Sequence, residues 1–123
     1  MITAGFGCMS GCGVEELQAV LRAAEFSCGT AATALAAPSF KRREAGLLAL
    51  ADRLGLPIRW VDDAGMAAVA ERVKTHSAVS MRMAGTPSVA EAAALAAAGE
   101  NAVLLQSRIA HPRATCALAV IAA

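Results

Sequence analysis

The sequence predicts an α/β fold in which helices pack on both faces of a mostly parallel, mixed sheet of about five strands. Apolar runs typical of strands alternate with helical patterns along most of the chain, and the last two apolar runs follow each other closely. Alternation indicates parallel strands with helical crossovers, whereas a short connection indicates an antiparallel pair. Aromatic residues make up only 3% of the chain and alanine is abundant, which favours closely packed helices over an aromatic-rich β-sandwich. We expect a single three-layer domain over residues 1–123.

The N-terminal part of the chain predicts a strand, a glycine-rich loop and a helix. The strand is expected over Met1–Gly7, and the glycines of Gly5–Gly13 let the backbone turn sharply and lie close to a ligand. A helix is predicted over Val14–Phe26, where apolar residues recur at helical spacing. Its expected buried face is Val14, Leu17, Leu21 and Ala24. Because ligands of α/β folds bind at the carboxyl ends of strands, we expect the glycine loop to form one wall of a small-molecule site.

The next stretch predicts the second strand and the second helix. Ala32–Ala37 is a short apolar run that ends at Pro38. The helix is expected to open at Ser39 and to end at Gly55, just before Pro57. Its expected inward face is Leu47, Leu48, Ala51 and Leu54.

The third strand is predicted over Ile58–Val61. Asp62 or Asp63 is expected to cap a third helix that runs to about Val73. Residues 74–84 show no apolar period, so this segment predicts a loop.

The helix that follows carries two alternative start signals. Ser88 and Glu91 have the spacing of a capping box, in which the hydroxyl and the carboxylate each accept a hydrogen bond from a backbone N–H. Thr86 as the cap, with Pro87 at the first helical position, is the alternative. The helix is expected to run through Ala98.

The chain ends in a predicted antiparallel strand pair. Asn101–Gln106 predicts the fourth strand, Ser107–Ala114 a polar hairpin-like loop, and Thr115–Ile121 the fifth strand. The loop has two interpretations, an exposed hairpin tip or a basic lid for an acidic ligand. The basic residues concerned are Arg108, His111 and Arg113.

Motif spacing and charge exclude several function classes. The dinucleotide-binding fingerprint requires a glycine where Ser10 stands and an acid at the end of the second strand, where Ala37 and Pro38 stand. A phosphate-binding P-loop is excluded because the chain has no Gly-Lys-Ser or Gly-Lys-Thr. The formal net charge of +1 gives no bulk field for nucleic acid or an anionic membrane. With no basic leader and no long apolar run, a cytoplasmic location is expected.

The cysteines are expected to be free thiols. Cys8, Cys12, Cys28 and Cys116 are irregularly spaced. Cys8 and Cys12 can be interpreted as a metal or redox pair or as small residues that fill space. Two ligands do not close a zinc site, so we favour the second interpretation and expect neither a metal nor a cofactor.

The densest positive cluster, Lys41-Arg42-Arg43, lies at the predicted start of the second helix. Cations at this end are unfavourable to the helix dipole. Lys41 is therefore either a solvated side chain or a ligand for a carboxylate. For Arg42 and Arg43 we favour solvent.

Three segments resemble one known family. Gly5-Phe6-Gly7-Cys8, Lys41-x-x-Glu44-x-Gly46-Leu47 and the long segment from Gly85 to Leu95, GTPSVAEAAAL, are similar to the CobE family. This is the same family as the C-terminal domain of CbiG, in cobalamin (vitamin B12) biosynthesis. The resemblance covers essentially the whole chain, and its segments occur in the expected order.

The resemblance implies a three-layer α/β/α domain and work on precorrin intermediates of corrin-ring formation. Those macrocycles carry several acetate and propionate carboxylates, for which Lys41, Arg108 and main-chain N–H groups are suitable contacts. The fused CbiG proteins are associated with opening of a ring lactone and loss of a two-carbon fragment. The stand-alone CobE proteins belong to the oxygen-dependent route.

The chain departs from the family pattern in two places. Met9 and Ser10 stand where the family often has a basic residue, which weakens an anion clamp on the glycine loop. Ser107 and Arg108 stand where a lysine is common in the last loop. The second departure keeps the charge and changes its geometry.

We therefore expect a cytoplasmic protein that binds a precorrin-type polycarboxylate, without nucleic acid or membrane partners. In this hypothesis main-chain N–H groups and Lys41 bind carboxylates, Ser10 and Ser88 donate hydrogen bonds, and Cys8 forms a wall. The expected ligand-binding residues are Gly5, Gly7, Cys8, Ser10, Lys41, Glu44, Gly85, Thr86, Ser88, Glu91 and Arg108. No nucleophile–base pair is evident, so binding or delivery is favoured over hydrolysis. The alternative is an interaction domain that docks on another cobalamin-pathway enzyme without touching the ring.

Overall fold

The computed structural model describes residues 1–84, 86 and 88–121. The strands are β1 (Ile2–Cys8), β2 (Ala34–Pro38), β3 (Ile58–Val61), β4 (Ala102–Ala110) and β5 (Ala114–Ile121). The helices are α1 (Val14–Cys28), α2 (Ala45–Leu54), α3 (Asp63–Ala68), α4 (Ala78–Ala84) and α5 (Val89–Ala98). Two short 3₁₀ turns, Ser39–Lys41 and Ala70–Arg72, follow β2 and α3.

The five strands form one mixed sheet in the order β3-β2-β1-β5-β4. β1 pairs with β2, and β2 with β3, in parallel, whereas β5 is antiparallel to both β1 and β4. The predicted α/β class is confirmed. The sheet is less parallel than predicted, because β5 returns to the centre between β1 and β4. β1 and β2 both end at the edge where the glycine loop lies.

Helices cover both faces of the sheet, which gives three layers. On one face α1 and α2 pack with large apolar side chains, among them Leu17, Leu21, Leu47, Leu50 and Phe6. On the other face α3 and α5 pack mainly with small ones, including Ala92, Ala93 and Ala94. The second interface is therefore thinner, and α5 lies close to the sheet backbone.

Gly5 is the residue that permits this close approach. A Cβ atom at Gly5 would lie 2.1 Å from the Ala90 carbonyl oxygen and 2.5 Å from the Ala94 nitrogen. No side chain fits at these distances, so α5 can pack this closely on β1 only because residue 5 is glycine. Gly5 belongs to the strand and the core, and the expectation that it contacts a ligand is not supported.

The second helix differs from the prediction at its start and on its buried face. Ser39–Lys41 forms a 3₁₀ turn and α2 begins only at Ala45. Leu48 is 46% exposed, whereas Leu50 is fully buried. Leu47 and Leu50 are three residues apart and share a helix face, while Leu48 lies about 100° away from Leu47.

Three later segments also differ. The predicted loop at residues 74–84 contains α4, at whose start the Ser77 hydroxyl accepts a hydrogen bond from the Ser80 N–H at 3.2 Å. The third helix ends at Ala68 and continues only as a 3₁₀ turn. β4 runs on to Ala110, so Arg108 lies on a strand and the hairpin loop is only residues 111–113.

Candidate functional site

A cavity of about 730 Å³ lies at the edge of the sheet where β1 and β2 end. It is lined by residues from the two ends of the chain and from the middle: Gly7, Cys8, Met9, Ser10, Pro38, Phe40, Lys41, Ser77, Ser80, Val89, Arg108, His111, Pro112, Arg113, Ala114 and Thr115. We call residues 7–10 and 38–41 the first wall. The second wall consists of Ser77, Ser80, Arg108 and residues 111–115. The place is the one expected for ligands of α/β sheets, outside the carboxyl ends of parallel strands.

The loop after β1 is held in a defined shape by backbone hydrogen bonds. The Met9 N–H donates to the Arg113 carbonyl oxygen at 2.9 Å, and the Cys12 N–H donates to the Met9 carbonyl oxygen at 3.1 Å. Gly11 has a φ of +78°, in the left-handed region that favours glycine. Its N–H donates to Glu44 Oε2 at 3.1 Å. The loop is therefore fastened both to the hairpin and to the residue before α2.

Lys41 lies on the 3₁₀ turn after β2 and points at this loop. Its Nζ donates to Ser10 Oγ at 3.4 Å and lies 3.7 Å from Glu44 Oε1. Its side chain is only 16% exposed. Glu44 thus orients both the lysine and the Gly11 N–H from behind the wall, while it does not itself line the cavity.

Cys8 faces the cavity as a neutral thiol. Burial raises its pKa from 9.0 to about 11, against the opposing charge of Lys41 and with a further contribution from Glu44. A thiol with this pKa is protonated at neutral pH and is a poor nucleophile. Its side chain therefore contributes shape to the first wall.

The second wall depends on the buried carboxylate of Glu91 in α5. Oε1 accepts hydrogen bonds from the N–H groups of Lys74 at 2.7 Å and Thr75 at 2.9 Å. Oε2 accepts from the Thr75 hydroxyl at 2.6 Å and from the Arg108 N–H at 2.8 Å. One side chain thus joins α5, the segment before α4 and strand β4.

These hydrogen bonds also set the charge of Glu91. Burial raises the pKa of this carboxyl group, but the bonds from the Thr75 hydroxyl and from the N–H groups of Arg108, Thr75 and Lys74 outweigh burial and lower it below 4.5. Glu91 is therefore ionised at neutral pH although its side chain is fully buried. Charge-assisted hydrogen bonds of this kind are stronger than neutral ones.

Two irregularities in β4 bring Arg108 to the cavity. The register of the β4–β5 pair shifts between Leu104 and Gln106 and again between Gln106 and Ile109. Bulges of this kind bend a strand and redirect its side chains. At the second shift the Arg108 N–H donates a hydrogen bond to Glu91 Oε2, and Arg108 lines the cavity.

The hairpin loop closes the cavity against the first wall. The Arg113 guanidinium donates to the Ser10 carbonyl oxygen at 3.1 Å, and its N–H donates to Glu16 Oε2 at 2.9 Å. Arg113 therefore ties the two walls together directly. His111 stands beside it in the lining.

The structure brings together five of the residues predicted to bind a ligand. Gly7, Cys8, Ser10, Lys41 and Arg108 line the cavity.

The other predicted residues lie elsewhere. Thr86 and Ser88 are fully buried, so neither is available to a ligand. Ser88 is the helix cap, since its hydroxyl accepts from the Glu91 N–H at 3.4 Å, and Thr86 is therefore not the cap. Glu91 forms only half of the predicted capping box, because its carboxylate binds the second wall instead. Gly85 lies outside the described residues.

Several lining residues were not among the predicted ligand-binding residues. His111 and Arg113, which the sequence analysis gave as an exposed hairpin tip or a basic lid, lie in the lining. Phe40, Ser77 and Ser80 also line the cavity, and nothing in the sequence assigned them to the site. Phe40 directly precedes Lys41, so the turn that carries the lysine also presents an aromatic ring. The two serines lie in the segment that shows no apolar period, just after Lys74 and Thr75, which bind the Glu91 carboxylate.

A second cavity of about 420 Å³ adjoins the same turn. It is lined by Ser39, Phe40, Arg42, Arg43, Asp62 and Asp63. Phe40 is the residue that lines both cavities.

In the part of the chain that the structure describes, no group of three or more His, Cys, Asp or Glu side chains is arranged to bind a metal ion. None of its helices combines the length and the apolar character needed to cross a membrane.

Comparisons with known proteins show the family of the chain. Residues 2–119 match the protein family described as Cobalamin synthesis G C-terminus. The chain is 34% identical over 118 residues to Protein CobE from Sinorhizobium sp, which covers 94% of this chain and 77% of that protein.

Solved structures show the same relationship. The structure of CobE, a protein from the cobalamin (vitamin B12) biosynthetic pathway, is 39% identical with a TM-score of 0.91, over 97% of this chain and 89% of that one. Cobalamin biosynthesis protein chiG from Agrobacterium tumefaciens str. C58 is 38% identical with a TM-score of 0.81, over 100% of both chains. A cobalamin biosynthesis protein G homologue from Sulfolobus solfataricus shares the fold at 21% identity and a TM-score of 0.71, over 98% of this chain and 37% of that one.

The match over almost the whole chain and the identity to CobE confirm the resemblance drawn from the three sequence segments. The chain belongs to the Cobalamin synthesis G C-terminus family and is a protein of the cobalamin biosynthesis pathway.

Proposed function

We propose that this protein binds a precorrin-type polycarboxylate intermediate in the cavity between the first and second walls. One observation carries the proposal: the cavity is lined by Lys41, Arg108, His111 and Arg113, and no Asp or Glu is among its described lining residues. A concave site with several cations and no acid favours a ligand with several carboxylates. Corrin precursors carry such carboxylates around a large ring.

The size and the mixed chemistry of the cavity support a small-molecule ligand. Its volume of about 730 Å³ lies within the range of about 300–1,000 Å³ that small-molecule sites occupy. Pro38, Phe40 and Val89 supply apolar surface between the charged groups. Apolar lining with a few placed polar groups is typical of a site that binds and orients a ligand.

The groups in the cavity favour binding or delivery over hydrolysis by a protein nucleophile. Cys8 is protonated because of its raised pKa. The Ser10 hydroxyl contacts the Lys41 ammonium group, and no hydrogen bond between described residues joins it to a histidine or a carboxylate. Serine nucleophiles are most often activated by a histidine base. We therefore propose a binding protein of the oxygen-dependent route, in line with its similarity to CobE.

A titration tests the proposal. Purified protein is titrated with hydrogenobyrinic acid, a corrinoid polycarboxylate, and the visible absorption of the ring is followed. We expect a saturable spectral shift, and about tenfold weaker binding in Lys41→Ala, since one charge-assisted hydrogen bond contributes about 1.5 kcal/mol. Arg53→Ala is the matched control, because Arg53 pairs with Glu15 on the surface and does not line the cavity.

The same experiment separates the alternative, an interaction domain that docks on another enzyme of the pathway. That hypothesis predicts no spectral shift with the ligand and co-purification of a pathway enzyme. A shift that is equal in the wild type and in Lys41→Ala would place the ligand outside this cavity.

A further inference from the structure

We infer that Phe40 is the surface on which the ring of the bound macrocycle stacks, and that the ligand extends over it into the second cavity. The inference rests on the proposed function and assigns one side chain to the ring itself. The charged groups described above would bind the carboxylates of the ligand. The apolar faces of its ring need an apolar contact as well.

The position of Phe40 is the first observation. Its side chain is 57% exposed, yet it lines both the cavity of about 730 Å³ and the cavity of about 420 Å³. Exposed phenylalanine has an unfavourable hydration free energy that a bound apolar surface would remove. A residue shared by two adjoining cavities is placed to contact a ligand that spans both.

The backbone that carries Phe40 is fixed, which is the second observation. The Ser39 hydroxyl donates to the Val61 carbonyl oxygen at 3.0 Å. The Arg42 N–H donates to the Ser39 carbonyl oxygen at 3.2 Å, and the Glu44 N–H donates to the Lys41 carbonyl oxygen at 3.0 Å. The turn therefore presents the ring from a preorganised backbone, which lowers the entropic cost of binding.

The charges around Phe40 are the third observation. Lys41 lies in the main cavity, while Arg42 and Arg43 lie in the second. Of the two acids in the second cavity, Asp62 accepts a hydrogen bond from the Gly65 N–H at 2.7 Å. No ion pair between described residues engages either arginine. Cations thus lie on both sides of the aromatic ring, and in the second cavity Asp62 and Asp63 accompany them.

This pattern matches a ligand with a flat conjugated centre and an acidic rim. A π system can stack on an aromatic side chain whatever hydrogen-bonding groups lie at its edge. The carboxylates of the ligand pair with the flanking cations. An acyclic polycarboxylate would use the cations and leave Phe40 uncovered. Phe40 therefore distinguishes macrocyclic from acyclic polycarboxylates.

Two probes and four variants test the inference. Binding of hydrogenobyrinic acid is followed by absorption, and binding of citrate by NMR, for the wild type, Phe40→Ala, Phe40→Trp, Phe26→Ala and Lys41→Ala. Phe26 is the matched control, since it is 89% exposed at the end of α1 and lines neither cavity. Because both phenylalanines are exposed, these variants are expected to keep the fold, which circular dichroism checks.

We expect Phe40→Ala to weaken hydrogenobyrinic acid about tenfold, the loss typical of one aromatic stacking partner. Phe40→Trp should bind it as well as the wild type, and Phe26→Ala should be unchanged. Citrate should bind the wild type and Phe40→Ala equally and bind Lys41→Ala less well. Equal affinity of the wild type and Phe40→Ala for the corrinoid would overturn the inference and leave the proposed function intact. If the wild type binds neither probe, the proposed function fails and the inference fails with it.

Discussion

The two walls of the cavity are held by different kinds of contact. The first wall is made of short stretches at the ends of neighbouring parallel strands, and several weak contacts share its support. The second wall consists of segments far apart in the chain, and the buried carboxylate of Glu91 joins them. The first wall should therefore tolerate single substitutions, whereas the second wall should not.

The largest effect is expected at Gly5, which seats the helix that carries Glu91. In Gly5→Ala the new Cβ would lie 2.1 Å from the backbone oxygen of Ala90, so α5 must move away from β1. We expect a loss of about 3 kcal/mol or more in the free energy of unfolding, measured by urea denaturation.

Gly13→Ala is the control for this substitution. A Cβ at Gly13 meets nothing within 4 Å, and its φ of −77° suits alanine. Equal stability of the two alanine variants would contradict the close seat of α5 on β1.

The second-largest effect is expected at Glu91, whose carboxylate holds the second wall together. Glu91→Gln keeps the size of the side chain but places an amide N–H₂ where backbone N–H groups now donate. Buried donors are left without an acceptor, so we expect a loss of about 3 kcal/mol in the free energy of unfolding. Hydrogen exchange should also increase at Lys74, Thr75 and Arg108. Glu100→Gln, an exposed carboxylate, serves as the control; unchanged exchange at the three amides in Glu91→Gln would refute the role of Glu91.

Acid should loosen the second wall. The pKa of Glu91 is lower in the folded protein than the ordinary value of 4.5. Its stabilising contribution is therefore fully present above about pH 4.5 and is lost as pH falls through the lower folded pKa. We expect the difference in unfolding free energy between the wild type and Glu91→Gln to shrink over this acidic range. A constant difference down to about pH 2 would show that the carboxylate does not titrate with folding.

A smaller effect reports on the first wall. Because the pKa of Cys8 is about 11, its alkylation by iodoacetamide at pH 8 should be slow. Lys41→Ala removes a charge that lowers this pKa and should slow the reaction further. Glu44→Gln removes a charge that raises it and should speed the reaction. Mass spectrometry of the Cys8 peptide measures both rates, and changes in the opposite directions would exclude the Lys41–Glu44 arrangement around the thiol.

The first wall could be predicted from the sequence because local signals define it. The glycine loop follows directly after the first strand, and Lys41 follows three residues after the second strand ends at Pro38. The end of a strand is where both were expected. The strand and helix order was predictable for the same reason, since apolar periodicity is a local property.

The second wall could not be predicted because its contacts are not local. Ser88 and Glu91 have capping-box spacing, and nothing in the sequence shows that the carboxylate turns to Lys74, Thr75 and Arg108 instead. The register shifts in β4 that carry Arg108 to the cavity are likewise set by pairing with β5. Gly5 was predicted to lie in a ligand-binding loop. Its role is instead to let α5, a helix distant in the sequence, pack closely on β1.

A double-variant cycle shows whether both walls bind one ligand. The dissociation constant of hydrogenobyrinic acid is measured for the wild type, Lys41→Ala, Arg108→Ala and the double variant at low and high salt. We expect about tenfold weaker binding for each single variant, a larger loss for the double variant, and smaller losses at high salt. Saturable binding with the same dissociation constant in all four proteins would contradict a shared site between the walls.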